Sequence, residues 1–186
     1  MTVAAVVLAA GAGSRFSGPT HKLLADLDGR PVVCHALDAV VAAGFDEVIV
    51  VDGAVELTAL VPAGVTLVHN PDWAQGQAGS LRRAVAVAAA AGHEAVVVGL
   101  GDQPRVTTDA WRRVAACPSP IAVACYGTQR RNPVRLGREV WPLLPAEGDE
   151  GARTVMRGRP DLVVEVACDG EPLDVDTVED LQRLRR

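Results

Sequence analysis

Short apolar runs alternate with helical segments along this chain, and that alternation constrains its fold more than any other feature. Residues 3–8, 47–51, 65–68 and 95–100 are strand-length apolar runs, each broken off by Gly, Pro, Asp or a polar loop. Between them, residues 31–43 carry apolar side chains at helical spacing, with Pro31 at the start and Gly44 just past the end, which are the start and stop signals of a helix. A shorter helix is expected at 55–60 and an alanine-rich one at 79–91. This order implies crossover units on a mainly parallel sheet flanked by helices. Further on, Thr107 or Thr108 is expected to cap a helix running to 116. Strands are expected at 121–126, 133–136 and 162–167, short helices at 138–144 and 151–157, and a closing helix at 178–184. There is no internal repeat, low-complexity tract or linker, so residues 1–186 are read as a single α/β domain. Open sheets of this kind take their ligands beyond the carboxyl ends of the strands.

Net charge and residue usage narrow the function. At −5, with no basic run, the chain is a poor candidate for a nucleic-acid surface, so any nucleotide partner is a small one. The apolar runs are too short and too often interrupted to read as membrane spans, and the N-terminus carries no basic leader, which together predict a soluble cytoplasmic protein. Cys34, Cys117, Cys125 and Cys168 are scattered without C-x-x-C pairs and read as reduced thiols rather than zinc ligands. His21, His35, His69 and His93 read as structural.

The first strand leads directly into Leu8-Ala9-Ala10-Gly11-Ala12-Gly13-Ser14-Arg15-Phe16-Ser17-Gly18, followed by Lys22. Glycines allow successive backbone N–H groups to turn inward and form a concave anion site, to which Ser14 and Arg15 add donors. Lys22 is the only lysine among 18 basic residues, so a compact ammonium rather than a guanidinium fork is indicated at that position. The loop is read as a phosphate site.

Two acidic segments fall on the same side of the expected sheet. Asp102, in Gly99-Leu100-Gly101-Asp102-Gln103-Pro104, directly follows a buried strand, and alternation places Asp174 and Asp176 on one face of 172–177. Mg²⁺ takes one or two carboxylates together with phosphate oxygens and water, so Asp102 with Asp176 would suffice beside a triphosphate. Asp176 has a competing role as a helix cap before 178–184. The segment from Asn70 to Arg82 mixes amides, glycines and the Ser80 hydroxyl ahead of a helix, and can read a base edge while the helix N-terminus favours a phosphate. Trp73 within it reads as packing.

Taken together these segments resemble the molybdenum cofactor nucleotidyltransferases, the MobA/MocA-like family, and more closely the cytidylyltransferase branch. The resemblance rests on Leu8-Ala-Ala-Gly11-x-Gly-x-Arg15 with Lys22, on Asn70-Pro-x-Trp-Ala-x-Gly with Ser80-Leu-Arg82, on Leu100-Gly-Asp-Gln-Pro104, and on Asp174-x-Asp-Thr-x-Glu-Asp-Leu181. It implies a Rossmann-like domain of the nucleotide-diphospho-sugar transferase kind. The implied activity is Mg²⁺-dependent transfer of CMP from CTP to a phosphorylated acceptor, molybdopterin cofactor, with a molybdoenzyme as a further partner. Ala9-Ala10 before Gly11 resembles the branch that takes CTP, whereas Gly-Gly is typical of the GTP branch. By the same resemblance Arg15, Lys22 and Asp102 are the expected catalytic residues and Asp102 and Asp176 the metal ligands. The nucleotide is expected on Leu8, Ala9, Ala10, Gly11, Ala12, Gly13, Ser14, Arg15, Lys22, Asn70, Gly79 and Ser80. The chain departs from the family pattern in having Arg15 and Lys22 seven residues apart rather than five, and Arg131-Asn132-Pro133-Val134 where many relatives have Gly-His-Pro.

Three other readings stand beside this one. Gly11-x-Gly13 after a first strand resembles a nicotinamide- or flavin-binding turn, but the third glycine is replaced by Phe16, and Asp52 follows Gly13 by 39 residues where about 20 is the fingerprint. The chain could instead use GTP or another phosphorylated acceptor, or serve as a non-catalytic accessory protein that hands cofactor to a molybdoenzyme.

Overall fold

The computed structural model describes residues 2–185. The first crossover runs from β1 (Val3–Leu8) through a small hairpin, β2 (Asp26–Leu27) with β3 (Arg30–Pro31), into α1 (Val32–Ala43) and β4 (Glu47–Asp52). It continues through β5 (Thr66–His69), α2 (Gln77–Ala90), β6 (Ala95–Leu100) and α3 (Thr108–Ala116). The rest comprises β7 (Ile121–Tyr126), β8 (Gln129–Gly137), α4 (Ala152–Gly158), β9 (Val163–Ala167) and α5 (Val178–Leu184). Seven strands form one sheet in the order β5-β4-β1-β6-β8-β7-β9. Strands β5, β4, β1 and β6 run parallel, β8 is antiparallel to both its neighbours, and β7 pairs with β9 in parallel.

Period-two alternation sorts the strand side chains to the two faces. Ala4, Val6 and Leu8 of β1 join Ile49, Val51, Val96 and Val98 under α2 and α4, where Leu81, Ala84, Ala88 and Val155 complete the layer. Ala5 and Val7 join Val48, Val50 and Val97 on the opposite face, covered by Val33, Leu37 and Val40 of α1 and Trp111 and Val114 of α3. A third apolar cluster seats α5 and the β2–β3 hairpin on each other through Leu27, Val32, Val175, Leu181 and Leu184. Burial on both faces explains why the central strands read as unbroken Val/Ala runs.

The helix signals at 31–44 are as expected: Pro31 stands at the cap and Gly44 closes the helix in the left-handed region at φ 77°. Thr107, not Thr108, caps α3 by accepting from the Ala110 amide. Residues 55–60 form no helix. The buried Asp52 carboxylate takes the Leu57 N–H at 3.0 Å, the Leu60 and Val61 amides both close on the Leu57 carbonyl, and Pro62 follows, so only one turn forms. The expected helix at 138–144 is a 3-10 helix, Arg138–Leu143, interrupted by Pro142. β8 begins four residues earlier than its expected start at 133, because it continues a hairpin with β7 across a register shift at Val123/Ala124. Among the described residues no helix is long and apolar enough to cross a membrane.

Candidate active site

Parallel register brings three loops together at the carboxyl end of the sheet. Leu8 pairs with Val51 on one side and Leu100 on the other, so the loops after β1, β4 and β6 leave side by side. They stay bonded as they go: the Ala9 amide donates to the Val51 carbonyl at 2.8 Å and Gly101 to the Leu8 carbonyl at 2.9 Å. The segment before α5 is pinned against them by the Val175 amide, which donates to the Asp102 carbonyl at 2.9 Å.

Thr177 and Asp180 form a reciprocal capping box at the start of α5. Burial alone would raise the Asp180 carboxyl, but the hydrogen bonds from Thr177 and the Asp176 amide hold it below its ordinary value. With the capping duty taken by its neighbour, the Asp176 side chain is free to turn into the site. It meets Lys22 Nζ at 3.1 Å through Oδ1 and Arg15 at 2.9 Å through Oδ2. Lys22 Nζ also lies 2.5 Å from Asp102 Oδ2. Burial works against the Lys22 charge, but the charge of Asp102 and the hydrogen bonds to Asp102 and Asp176 outweigh it, so its pKa is held above its ordinary value. Asp174 stands behind this cluster, accepting from Gln103 Nε2 at 2.7 Å, and burial plus the nearby Asp102 charge push its carboxyl up.

The two expected metal ligands are thus brought together, with the ammonium of Lys22 between them. Asp102 Oδ1 is buried and has no hydrogen-bond partner among the described residues, which fits a carboxylate that takes a cation. Among the described residues no group of three or more His, Cys, Asp and Glu is disposed around a metal position, so a cation here would complete its shell with phosphate oxygens and water.

A cavity of about 290 Å³ opens above this cluster, walled by 8–13, Lys22, Leu23, Trp73, Ala74, Gly76, Gln77, Ser80, Leu100, Asp102 and Asp149. Gly13 takes φ +62°, and a Cβ there would stand 3.0 Å from Lys22 Cγ, so the glycine lets the lysine stem pass under the loop. His21 staples the same loop. Its Nδ1 accepts from the Leu23 amide at 3.2 Å, which leaves the proton on Nε2 to donate to the Gly11 carbonyl at 3.0 Å. Burial holds the His21 pKa below its ordinary value.

Several expected nucleotide residues sit elsewhere. Ser14 and Arg15 are outside the cavity wall, and the Arg15 side chain is 74% exposed and paired with Asp176. Gly79 is also outside it, facing the Asn70 side chain. Asn70 is fully buried behind the wall and bonds Ser80, which is in the wall. Asp149 was not expected from the sequence. It arrives on a glycine-rich segment that backbone bonds tie to the loop before α2, Ala78 N to Gly148 O at 2.9 Å and Gly148 N to Gln75 O at 3.3 Å. The pair of glycines at 148 and 151 was its only trace in the sequence.

A second cavity of about 450 Å³ shares Leu8, Gln77 and Leu100 with the first. Its floor is apolar, with Leu81, Val98, Val123, Val134 and Met156, and Arg130, Arg131, Arg153 and Arg157 stand around it. Arg130 is paired with Glu165 at 2.6 Å and Arg157 with Glu150. The Arg131-Asn132-Pro133 segment, one of the two departures from the family pattern, contributes Arg131 and Asn132 to this wall.

The sequence matches the MobA-like NTP transferase domain over residues 5–166. The chain belongs to that family. Nicotine blue oxidoreductase of Paenarthrobacter nicotinovorans is 34% identical, with 98% of this chain and 96% of the relative covered. Among solved structures, Rv0371c of Mycobacterium tuberculosis H37Rv superposes with a TM-score of 0.88 at 34% identity, covering 99% of this chain and 97% of that one. The same protein in complex with manganese gives 0.84 at 32% identity, covering 99% and 98%. A nucleotidyl transferase from Methanothermobacter thermautotroptrophicus gives 0.80 at 28% identity, covering 99% and 96%. This chain is a nucleotidyltransferase of the MobA-like type.

Proposed function

We propose that this MobA-like domain transfers CMP from CTP to a phosphorylated acceptor, molybdopterin cofactor, releasing pyrophosphate. The observation that carries the reading is that the glycine loop, Lys22 and Asp102 line one cavity, with Asp176 held on the Lys22 ammonium beside it, and that this cavity shares a wall with an apolar cavity edged by arginines. Two adjoining cavities suit two substrates whose reacting phosphates meet at the common wall.

In this account the 11–13 backbone and Lys22 bind the triphosphate, and Arg15 supports them from the rim through Asp176. Asp102 and Asp176 would hold a divalent cation, consistent with the manganese complex of the mycobacterial relative. When bound, it supplies charge neutralisation at the transferring phosphate. An acceptor phosphate oxygen forms a bond to the α-phosphorus while the bond to the pyrophosphate oxygen breaks in line. The protein contributes positioning and electrostatics rather than a covalent intermediate. Lys22 exchanges its carboxylate partners for phosphate oxygens as the nucleotide enters. Cytosine specificity draws support from Ala9 and Ala10, the pair typical of the CTP branch, which line the cavity. The apolar floor of the second cavity suits a planar ring and its arginines an anionic tail. The product would pass to a molybdoenzyme.

The test is pyrophosphate release from CTP and from GTP with Mg²⁺ and molybdopterin cofactor. CTP-dependent release that falls about 10²- to 10³-fold in Asp102→Asn supports the assignment. Release from GTP alone moves the chain to the other nucleotide branch, and undiminished release by Asp102→Asn removes the metal-binding role of that carboxylate.

A further inference from the structure

The polarity of one hydroxyl in the first cavity is fixed by the residue behind it. Asn70 Oδ1 accepts from two groups that can only donate, the Asp72 amide at 3.0 Å and Arg83 Nε at 2.9 Å. Arg83 is held there by a second bond, to Asp72 Oδ2 at 2.7 Å. The other amide atom of Asn70 is therefore the nitrogen, which can only donate, and it lies 2.8 Å from Ser80 Oγ. In that bond Ser80 must be the acceptor. Reversing the amide would set its NH₂ against two donors in a residue with no solvent access.

Ser80 keeps one hydrogen, and among the described residues its hydroxyl makes no hydrogen bond except the one from Asn70. The residue is only 2% exposed, yet it stands in the wall of the first cavity with Trp73 and Gln77. With no acceptor for this hydrogen among the described residues, the partner left for it is whatever occupies the cavity that Ser80 lines.

We infer that Asn70 is a positioning residue that makes Ser80 an obligate donor to the nucleobase, so the base edge seated there must present a lone pair, a ring nitrogen or a carbonyl oxygen, at that point. A base that places an amino group or ring N–H against Ser80 is disfavoured, because two donors then face each other. Cytosine meets the requirement through O2 and N3. The inference rests on reading this cavity as the nucleotide site, and it goes beyond that reading by assigning the hydrogen-bond polarity of the base contact and the residue that sets it.

Asn70 and Ser80 also clamp the two ends of the 70–80 loop together, and the experiment has to separate that structural duty from base recognition. Binding is measured by calorimetry for wild type, Ser80→Ala, Asn70→Asp and the double variant. The ligands are the nucleoside triphosphate that wild type binds best and ribose 5-triphosphate, which has no base. Ser80→Ala is expected to weaken the nucleotide about tenfold, the worth of one such bond, and to leave ribose 5-triphosphate within about twofold. The carboxylate of Asn70→Asp, kept ionised by Arg83, can only accept and turns the Ser80 hydrogen inward. That variant is expected to weaken the nucleotide at least as much and to add nothing to Ser80→Ala in the double variant. Equal weakening of both ligands, additive losses, or unchanged nucleotide affinity in Ser80→Ala overturns the inference; Ser80→Ala leaves Asn70 Nδ2 without its partner, so retained binding of ribose 5-triphosphate is the control that the site stays folded. If wild type binds no nucleoside triphosphate, the nucleotide reading fails and takes this inference with it, whereas normal wild-type binding with indifferent variants defeats the inference alone.

Discussion

Replacing Lys22 with methionine removes the ammonium while keeping most of the stem's volume. Nζ lies 2.5 Å from Asp102 and 3.1 Å from Asp176, and the three side chains are 12%, 15% and 22% exposed. Without the charge, two largely buried carboxylates face each other, and the cation that remains on Asp176 among the described residues is the exposed Arg15. Breaking a fully buried pair costs about 3–5 kcal/mol. Because this cluster keeps some contact with water, the cost falls below that range, at roughly 2–3 kcal/mol. At about 2–4 °C per kcal/mol for a domain of this size, the melting temperature should fall by roughly 5–10 °C. Manganese should restore stability to the variant and raise its melting temperature more than it raises that of wild type, because in wild type the ion has first to displace the ammonium. Scanning calorimetry of both proteins with and without MnCl₂ reads both effects. A variant that melts with wild type in metal-free buffer, or that gains less from manganese than wild type does, would refute the reasoning.

Two further outcomes follow from the loops. Gly76 takes φ +107° and a Cβ there would lie 2.6 Å from the Gly148 carbonyl, so Gly76→Ala should detach the 148–149 segment, seen as faster hydrogen exchange at the Ala78 amide that now donates to Gly148. His21 titrates with a lowered pKa in the folded state, so the unfolded chain takes up its proton first as pH falls. The stability it lends is complete above the unfolded value, near pH 6.5, and is lost as pH drops through it toward the lower folded value. The melting temperature of wild type should therefore fall more steeply than that of His21→Gln on the acid side of that range.

The parts of the fold that the sequence made legible are those where local chemistry and tertiary burial agree. Pro31 and Gly44 bracket α1, and the central strands show as Val/Ala runs because both faces of the sheet are covered. Residues 55–60 misled because their apolar spacing fits a helix, while the decisive partner, the Asp52 carboxylate on the Leu57 amide, is invisible to periodicity. In the candidate site, the 8–13 loop, Lys22 and Asp102 singled out from the sequence line one cavity, and Asp176 joins them through Lys22. What was not legible depended on side-chain direction. Spacing could not show that Thr177 would take the cap and release Asp176, that Lys22 would lie between two carboxylates, or that Asn70 would be buried and donate to Ser80. Asp149 was hidden because it reaches the cavity by backbone pairing between two loops, which no local pattern encodes.

If the glycine loop, Lys22 and the two aspartates form a metal-assisted nucleoside triphosphate site, nucleotide affinity depends on both the metal and the ammonium. The most direct test is a calorimetric titration of wild type and Lys22→Ala with CTP, GTP, ATP and NADPH, each with and without Mg²⁺. Wild type is expected to bind CTP best, Mg²⁺ to strengthen the binding, and Lys22→Ala to weaken it at least about tenfold, the worth of one charge-assisted bond. Binding of NADPH alone, or triphosphate binding that neither Mg²⁺ nor the substitution changes, would contradict that assignment of the site.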